Sequence, residues 1–486
     1  MKKAYNIILV IGLLIFSISI SLHWTTGHRL NGDFALYINQ ALALIENKQE
    51  ELALLMKDML RNSTYKEFSP ILYPWGVPFF LTLPISLFGI NYEALRGLLA
   101  LMLILSWGML WYYLKLKKKY LIGGLTLLLL SGNTIIPEEL ERIISTIPYL
   151  FCLTGYFLFT HLSFLDRDKD IKAIPFLIFS GIFLFLSYET RTEGILLIPS
   201  YFIFLLIVVS SKQKPVYILG LKLIPVLIIL LLILATISVF PSGWENHWHS
   251  IHLNLSSNTL FYYIHTIPNL CYPFLPATGF IKNIIFWFFL LIGIIVTGKN
   301  FLLEKIYTIL HISLFLFYWP FTTSRYIYPL IPFLTYWSLY GLFNTISNMI
   351  PYKKVIYGII GCSLIFLQYI SCAYNIISRP NPYSTFDVNI TAKNTTEMFD
   401  FLRDYTSKKD IIACSESRAI NLYTHRKSYN LYKSISEIQE KADWYVFFRK
   451  REHYLQIDKT ILFNHPEIFK EKFKNSDFII YKIIKK

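Results

Sequence analysis

Ile7-Ile8-Leu9-Val10-Ile11-Gly12-Leu13-Leu14-Ile15-Phe16-Ser17-Ile18-Ser19-Ile20-Ser21-Leu22 is an uncharged run behind Met1-Lys2-Lys3, and Asn31-Gly32-Asp33-Phe34-Ala35-Leu36-Tyr37 follows it closely. An apolar run of this length behind lysines reads as a membrane helix with a cytoplasmic N-terminus, and the lack of an Ala-x-Ala-like cleavage site argues for its retention. Asp33 then stands at the mouth of a membrane bundle, where a carboxylate is costly to desolvate and marks a candidate site. A second reading makes it the cap of an amphipathic helix through Tyr37, Ala41, Leu44 and Ile45.

Composition fixes the class. Of 486 residues, 54% are hydrophobic and only 16% charged, more apolar surface than a soluble domain can hide. The formal charge of +15 gathers in short loops between apolar runs, which is the positive-inside pattern and not the footprint of a nucleic-acid partner. The five cysteines show neither metal spacing nor a disulfide framework.

Further spans of roughly 20 apolar residues are expected near 94–114, 120–136, 144–164, 173–188, 193–210, 216–240, 279–297, 304–320, 326–347 and 355–377. The basic loops at Lys115–Lys119, Arg167–Lys172, Lys212 and Lys214, Lys299, and Lys353 with Lys354 are assigned to the cytoplasm. The parity of crossings favours a re-entrant segment at 76–90, which Pro78 and Pro84 interrupt. The sequence therefore predicts a polytopic α-helical membrane protein of about 11–13 transmembrane helices over residues 1–378, with a long first outer loop at 24–75. Two juxtamembrane helices are expected in that loop, at about 33–46 and 49–60.

From Arg379 the chain turns polar, and residues 379–486 are expected to form a small extracytoplasmic α/β domain. Its strands are read at Asp410–Cys414, Trp444–Phe448 and Phe478–Tyr481, its helices near 394–406 and 466–474.

Several outer stretches carry chemistry. Tyr73-Pro74-Trp75-Gly76-Val77-Pro78 is a rigid lead into a helix. In Thr190-Arg191-Thr192-Glu193-Gly194 the charges read first as an outer-loop salt bridge. Thr322-Thr323-Ser324-Arg325-Tyr326-Ile327-Tyr328-Pro329-Leu330-Ile331-Pro332 sets a guanidinium at the mouth of a Pro-bent helix, suited to a phosphate, with snorkelling as the other reading. His247, His249 and His252 invite a metal, but the intervening Trp248 and the missing carboxylate or thiolate spacing favour an interfacial helix. No Gly-rich phosphate loop or Ser-His-Asp order appears, so no nucleotide cofactor is expected.

Taken in chain order, these stretches resemble the GT-C glycosyltransferases that use polyprenyl-phosphate sugars, the superfamily of protein O-mannosyltransferases and lipid A aminoarabinose transferases. Gly32-Asp33 through Tyr37 looks like the acidic motif of their first outer loop, and Tyr73–Pro78 like their Tyr-Pro-Pro-Gly-x-Pro. Arg191–Gly194 is similar to Arg-x-Glu-Gly and Arg325–Pro332 to Arg-Tyr-x-x-Pro-x-x-Pro. Phe34 stands where a second acid is usual, and Thr146 where members often carry Asp.

The resemblance implies an inverting transferase of the bacterial cytoplasmic membrane. It would move a hexosyl or pentosyl group from a polyprenyl phosphate to an extracytoplasmic lipid, glycan or protein. Asp33 fits the base, and Arg325 with Tyr326 the holder of the donor phosphate. Glu138, Glu139, Glu141 and Arg191 are candidates to contact the acceptor or a cation. A divalent metal ion stays open as a cofactor, with Asp33, His247, His249 and His252 as candidate ligands. An O-antigen ligase or polymerase is kept open by the stretch from His247 to His265. A transporter or flippase fits less well, since the charges lie at span ends and not at mid-span.

Overall fold

In lipid every backbone polar group must be satisfied within its own segment, so apolar runs fold as helices. A computed structural model describes residues 2–485 apart from 23, 25, 31, 65–69, 134, 166–169, 211–219, 242–256, 275–278, 320–321, 350–352, 379–387 and 450–455. The expected metal candidates His247, His249 and His252 lie outside the described residues.

The chain opens with α1 (Lys2–Leu22) and the two loop helices α2 (Phe34–Glu46) and α3 (Gln49–Asn62), at the places the periodicity predicts. Next come α4 (Gly76–Phe88), α5 (Tyr92–Leu116) and α6 (Tyr120–Ser131). Asn91 starts α5 by accepting from the amides of Glu93 and Ala94 at 3.0 and 3.1 Å. The bundle continues through α7 (Thr146–Ser163), α8 (Ile174–Thr190), α9 (Leu197–Ser210) and α10 (Ile224–Val239). It closes with α11 (Ser257–Cys271), α12 (Phe280–Val296), α13 (Leu302–Phe317), α14 (Ile331–Met349) and α15 (Lys353–Ile377).

Among the described residues, α1, α5 and α15 are long and apolar enough to cross a membrane on length and composition, and several shorter apolar helices pack with them. The chain is a polytopic α-helical membrane protein. With 13 residues, α4 is about 20 Å long, short of the ~30 Å hydrocarbon core. Two helices begin later than expected. Thr192–Leu196 and the turns Ser324–Tyr326 and Tyr328–Leu330 are 3₁₀, and regular helix starts only at Leu197 and Ile331. Proline at 329 and 332 lacks the amide that a continuous helix requires.

The C-terminal region is a mixed α/β unit with strands β1 (Ile412–Ala413), β2 (Ser428–Tyr429), β3 (Trp444–Phe448), β4 (Phe469–Lys474) and β5 (Phe478–Ile483). The order is β2-β1-β3-β5-β4, parallel across β2, β1 and β3 and antiparallel at β5 and β4. Helices α16 (Lys393–Tyr405), α17 (Ser417–Thr424), α18 (Ile435–Lys441) and α19 (Lys459–Asn464) complete it. The helix expected at 466–474 is instead the edge strand β4. A register shift between Glu471 and Phe473 sets Phe469 opposite Ile483 and Phe473 opposite Ile480, so the two rings serve opposite faces of the sheet, and the charged side chains between them are what protect an exposed edge.

The tightest crossing in the bundle joins α12 to α14 at two glycines. A Cβ on Gly293 would overlap the Trp337 carbonyl, and one on Gly341 the Phe289 carbonyl. Small residues let the two backbones touch, and α14 is thereby fixed directly beneath the turn that carries Arg325. Gly293→Val and Gly341→Val should each destabilise the protein by more than the about 1–3 kcal/mol of ordinary overpacking, because backbone and not side chain must yield. Thermal melting in detergent checks this; unchanged melting of either variant would contradict the crossing.

Candidate functional site

Backbone geometry at the start of α2 decides between the two readings of Asp33. The residue occupies the N-cap position and its carbonyl accepts from Leu36 and Tyr37, but its side chain makes no capping bond. The carboxylate faces the Arg325 guanidinium at 3.5 Å, with 27% and 37% of the two side chains exposed. Burial opposes the Arg325 charge, yet Asp33, Tyr326 and Tyr73 outweigh it and hold the guanidinium above its ordinary pKa.

Both residues line a cleft of about 510 Å³ counting its open mouth, at the end of the bundle that carries the C-terminal domain. Its walls come from Tyr37 of α2, from Pro70, Leu72, Tyr73 and Pro74 of the first loop, and from Thr190–Glu193 and Tyr326. The first-loop wall is anchored by a buried amide. Gln40 accepts from the Tyr73 amide at 3.0 Å and donates to the Tyr73 carbonyl at 2.8 Å. Tyr73 stacks on Tyr37 with ring centroids 4.6 Å apart, and burial together with the nearby Asp33 carboxylate raises the pKa of its hydroxyl.

Gly76 and Gly194 have packing reasons. A Cβ on Gly76 would come within 2.6 Å of the Glu189 carbonyl oxygen, and one on Gly194 within 2.5 Å of the Ser187 carbonyl oxygen. The start of α4 thus meets the end of α8 backbone to backbone at Gly76, reinforced where the Trp75 amide donates to Glu189 at 3.2 Å, while Gly194 lets the 190–194 turn fold back on α8.

Arg191 is buried and donates to Glu193 Oε1 from Nη2 at 2.6 Å and from Nε at 3.2 Å. Its guanidinium lies 5.0 Å from the Tyr326 ring and 5.7 Å from the Tyr149 ring. Beneath it His311 Nε2 donates to the Tyr326 carbonyl at 2.9 Å, which leaves Nδ1 to accept from Tyr307 at 2.9 Å. Sequence reasoning missed Gln40, Tyr307 and His311; the available signal was a polar group on an otherwise apolar helix face, at i, i+4 for the last two.

The three acids of the second outer loop, residues 137–143, separate. Glu138 is exposed, Glu141 pairs with Arg29 at 3.4 Å, and Glu139 is buried. Burial raises the Glu139 pKa although Arg142, Arg325 and Arg191 all act to lower it. None of the three lines the cleft.

A divalent ion needs several such ligands together. Among the described residues no three His, Cys, Asp or Glu side chains converge, and the Asp33 carboxylate faces Arg325. The described side chains do not by themselves assemble a dication site.

No family model matches the sequence, and no curated protein does. Among solved structures the chain is similar to ArnT from Cupriavidus metallidurans bound to undecaprenyl phosphate, with a TM-score of 0.59 and 10% identity over 99% of this chain and 98% of that one. The apo state of that protein gives 0.57 and 11% over the same shares. The archaeal oligosaccharyltransferase AglB from Archaeoglobus fulgidus, in complex with an inhibitory peptide and a dolichol-phosphate, gives 0.53 and 12% over 92% of this chain and 69% of that one. A further structure of the Archaeoglobus fulgidus oligosaccharyltransferase is a complex with Zn and sulfate. The chain therefore shares the overall fold of these solved structures.

The first and second loops are joined by a neutral histidine. His28 Nδ1 donates to the Arg29 carbonyl at 2.6 Å, while Nε2 accepts from the Ile143 amide at 3.2 Å. Burial, with the Arg96, Arg29 and Arg142 charges, depresses its pKa from 6.5 to about 3 despite the Arg29 bond. The unfolded chain therefore binds a proton that the folded one refuses, and stability falls as pH drops from 6.5 toward 3. Between pH 7.5 and 5 the loss from this group is about 2 kcal/mol. Melting curves should show a steeper acid decline for wild type than for His28→Gln; parallel profiles would refute a neutral His28.

Proposed function

We propose that this protein is an inverting glycosyltransferase that moves a sugar from a polyprenyl-phosphate donor to an acceptor hydroxyl outside the cytoplasmic membrane. The observation that carries the reading is the Asp33–Arg325 pair in an open cleft at the lip of an apolar bundle. The similarity to a protein bound to undecaprenyl phosphate supports it as fold-level analogy.

The donor phosphate replaces Asp33 as the partner of Arg325, whose planar fork matches phosphate oxygens. Asp33, released from its ion pair, accepts the proton of the acceptor hydroxyl. That oxygen bonds to the anomeric carbon from the face opposite the phosphate, the carbon–phosphate-oxygen bond breaks, and the polyprenyl phosphate leaves with its negative charge held by Arg325. One displacement inverts the configuration. Arg191, committed to Glu193, supports the wall and keeps Tyr326 beside Arg325.

A deletion strain should accumulate one lipid-linked sugar, and that donor reconstituted with purified protein gives the assay. Asp33→Asn should bind undecaprenyl phosphate normally and lose about 10²-fold or more in turnover. Arg325→Lys, which keeps the charge and loses the fork, should weaken binding about 10- to 100-fold. Arg191→Ala should lower the melting temperature and spare binding by the protein that remains folded. Normal binding by Arg325→Lys with lost binding by Arg191→Ala would show that the two roles are exchanged.

The orientation has its own check. In a Cys362→Ser background, which removes the exposed native thiol, a cysteine at Lys408 should react with an impermeant reagent in intact cells. Cysteines at Lys118 and Asn300, exposed in basic loops at the other end of the bundle, should not. Reaction at residue 118 would invert the topology.

A further inference from the structure

The cleft wall at Pro70–Tyr73 is built by the first loop but held from the far end of the chain. Arg418, the second residue of α17, donates from Nη2 to the Pro70 carbonyl at 2.7 Å, and its guanidinium lies 5.7 Å from the Tyr73 ring. The upstream edge of the same loop is tied to the same domain. The Thr64 amide donates to the Asn430 carbonyl and its hydroxyl to Glu437, both at 2.8 Å, and the Asn430 amide donates to Ser63 Oγ at 2.9 Å. The described ends of the loop that leads from α3 to the cleft are therefore both fastened to the C-terminal domain. Arg418 follows the carboxyl end of β1, whose parallel neighbours β2 and β3 flank it on opposite sides. Open parallel sheets present their working groups at such a point.

We propose that Arg418 is a positioning residue of the transfer site: it fixes the Pro70 carbonyl and covers Tyr73, so that Tyr73 keeps its place between Tyr37 and Asp33. The C-terminal domain is then a structural part of the donor site and not an appended module. The inference rests on the reading of the cleft as a donor-phosphate site. It extends that reading to a residue that does not line the cleft and lies on a separate folding unit.

The test uses full-length protein in lipid nanodiscs with undecaprenyl phosphate as the probe. Binding, melting temperature and hydrogen exchange of the peptide spanning residues 70–75 are compared for wild type, Arg418→Ala, Arg418→Gln and Arg418→Lys. Arg418→Ala should lose about tenfold in affinity, the low end for a charged hydrogen bond, and exchange faster at 70–75. Its melting temperature and its exchange in β3 and β5 should stay as in wild type. Arg418→Lys, which still donates to the carbonyl as a cation, should recover much of the loss. Arg418→Gln should fall between the two, and it carries the comparison if the alanine variant does not fold. Wild-type affinity and exchange in Arg418→Ala would overturn the positioning role. So would a loss accompanied by faster exchange throughout β3 and β5, which would mark a general structural part. Wild-type protein that fails to bind undecaprenyl phosphate would instead remove the reading of the cleft itself, before Arg418 enters.

Discussion

The proposed chemistry of the cleft depends on an ion pair that is weak by construction. Asp33 and Arg325 stand 3.5 Å apart and remain partly open to water, conditions under which such a pair contributes only about 0–1 kcal/mol. Two charges kept at an apolar rim for so little stability are available for exchange: an incoming anion displaces the carboxylate at small cost. Arg191 and Glu193 make the opposite case. Buried at 2.6 Å, they form a pair whose rupture typically costs about 3–5 kcal/mol, which suits a fixture and not a binding group.

Rigid surroundings give the exchangeable pair its geometry. Gly76 and Gly194 both bring backbone against the end of α8 beside the cleft, and Gln40 holds both polar groups of the Tyr73 backbone. On the far side the crossing at Gly293 and Gly341 sets the position of α14 and of the turn above it. Side chains at a reacting centre keep their places when the elements beneath them have no freedom to shift.

Asp33 and Arg325 were legible in the sequence because a charge beside a long apolar run stands out without any knowledge of the fold. Their meeting was not, since 292 positions separate them in the numbering and no local pattern encodes that distance. The membrane class followed from composition, and the two loop helices and three of the strands from local pattern. Strand β4 did not, because Phe469-Lys470-Glu471-Lys472-Phe473-Lys474 is charged enough to read as a solvated helix and only pairing with β5 makes it extended. Gln40, His311 and Arg418 are ordinary residues until their partners are known. A buried amide, a histidine under a carbonyl and an arginine on a distant helix acquire meaning from tertiary contact alone.

The bond between Arg418 and Pro70 spans 348 positions of chain, and this orders events at the ribosome. Helices α1 to α15 are synthesised before residue 418, so during most of translation the wall beside Asp33 lacks its clasp. The same holds for the strand-like bridge between Arg29 and Asn389. A nascent or truncated chain thus carries every charged group of the cleft without these contacts, which form only as the last fifth of the polypeptide leaves the translation machinery.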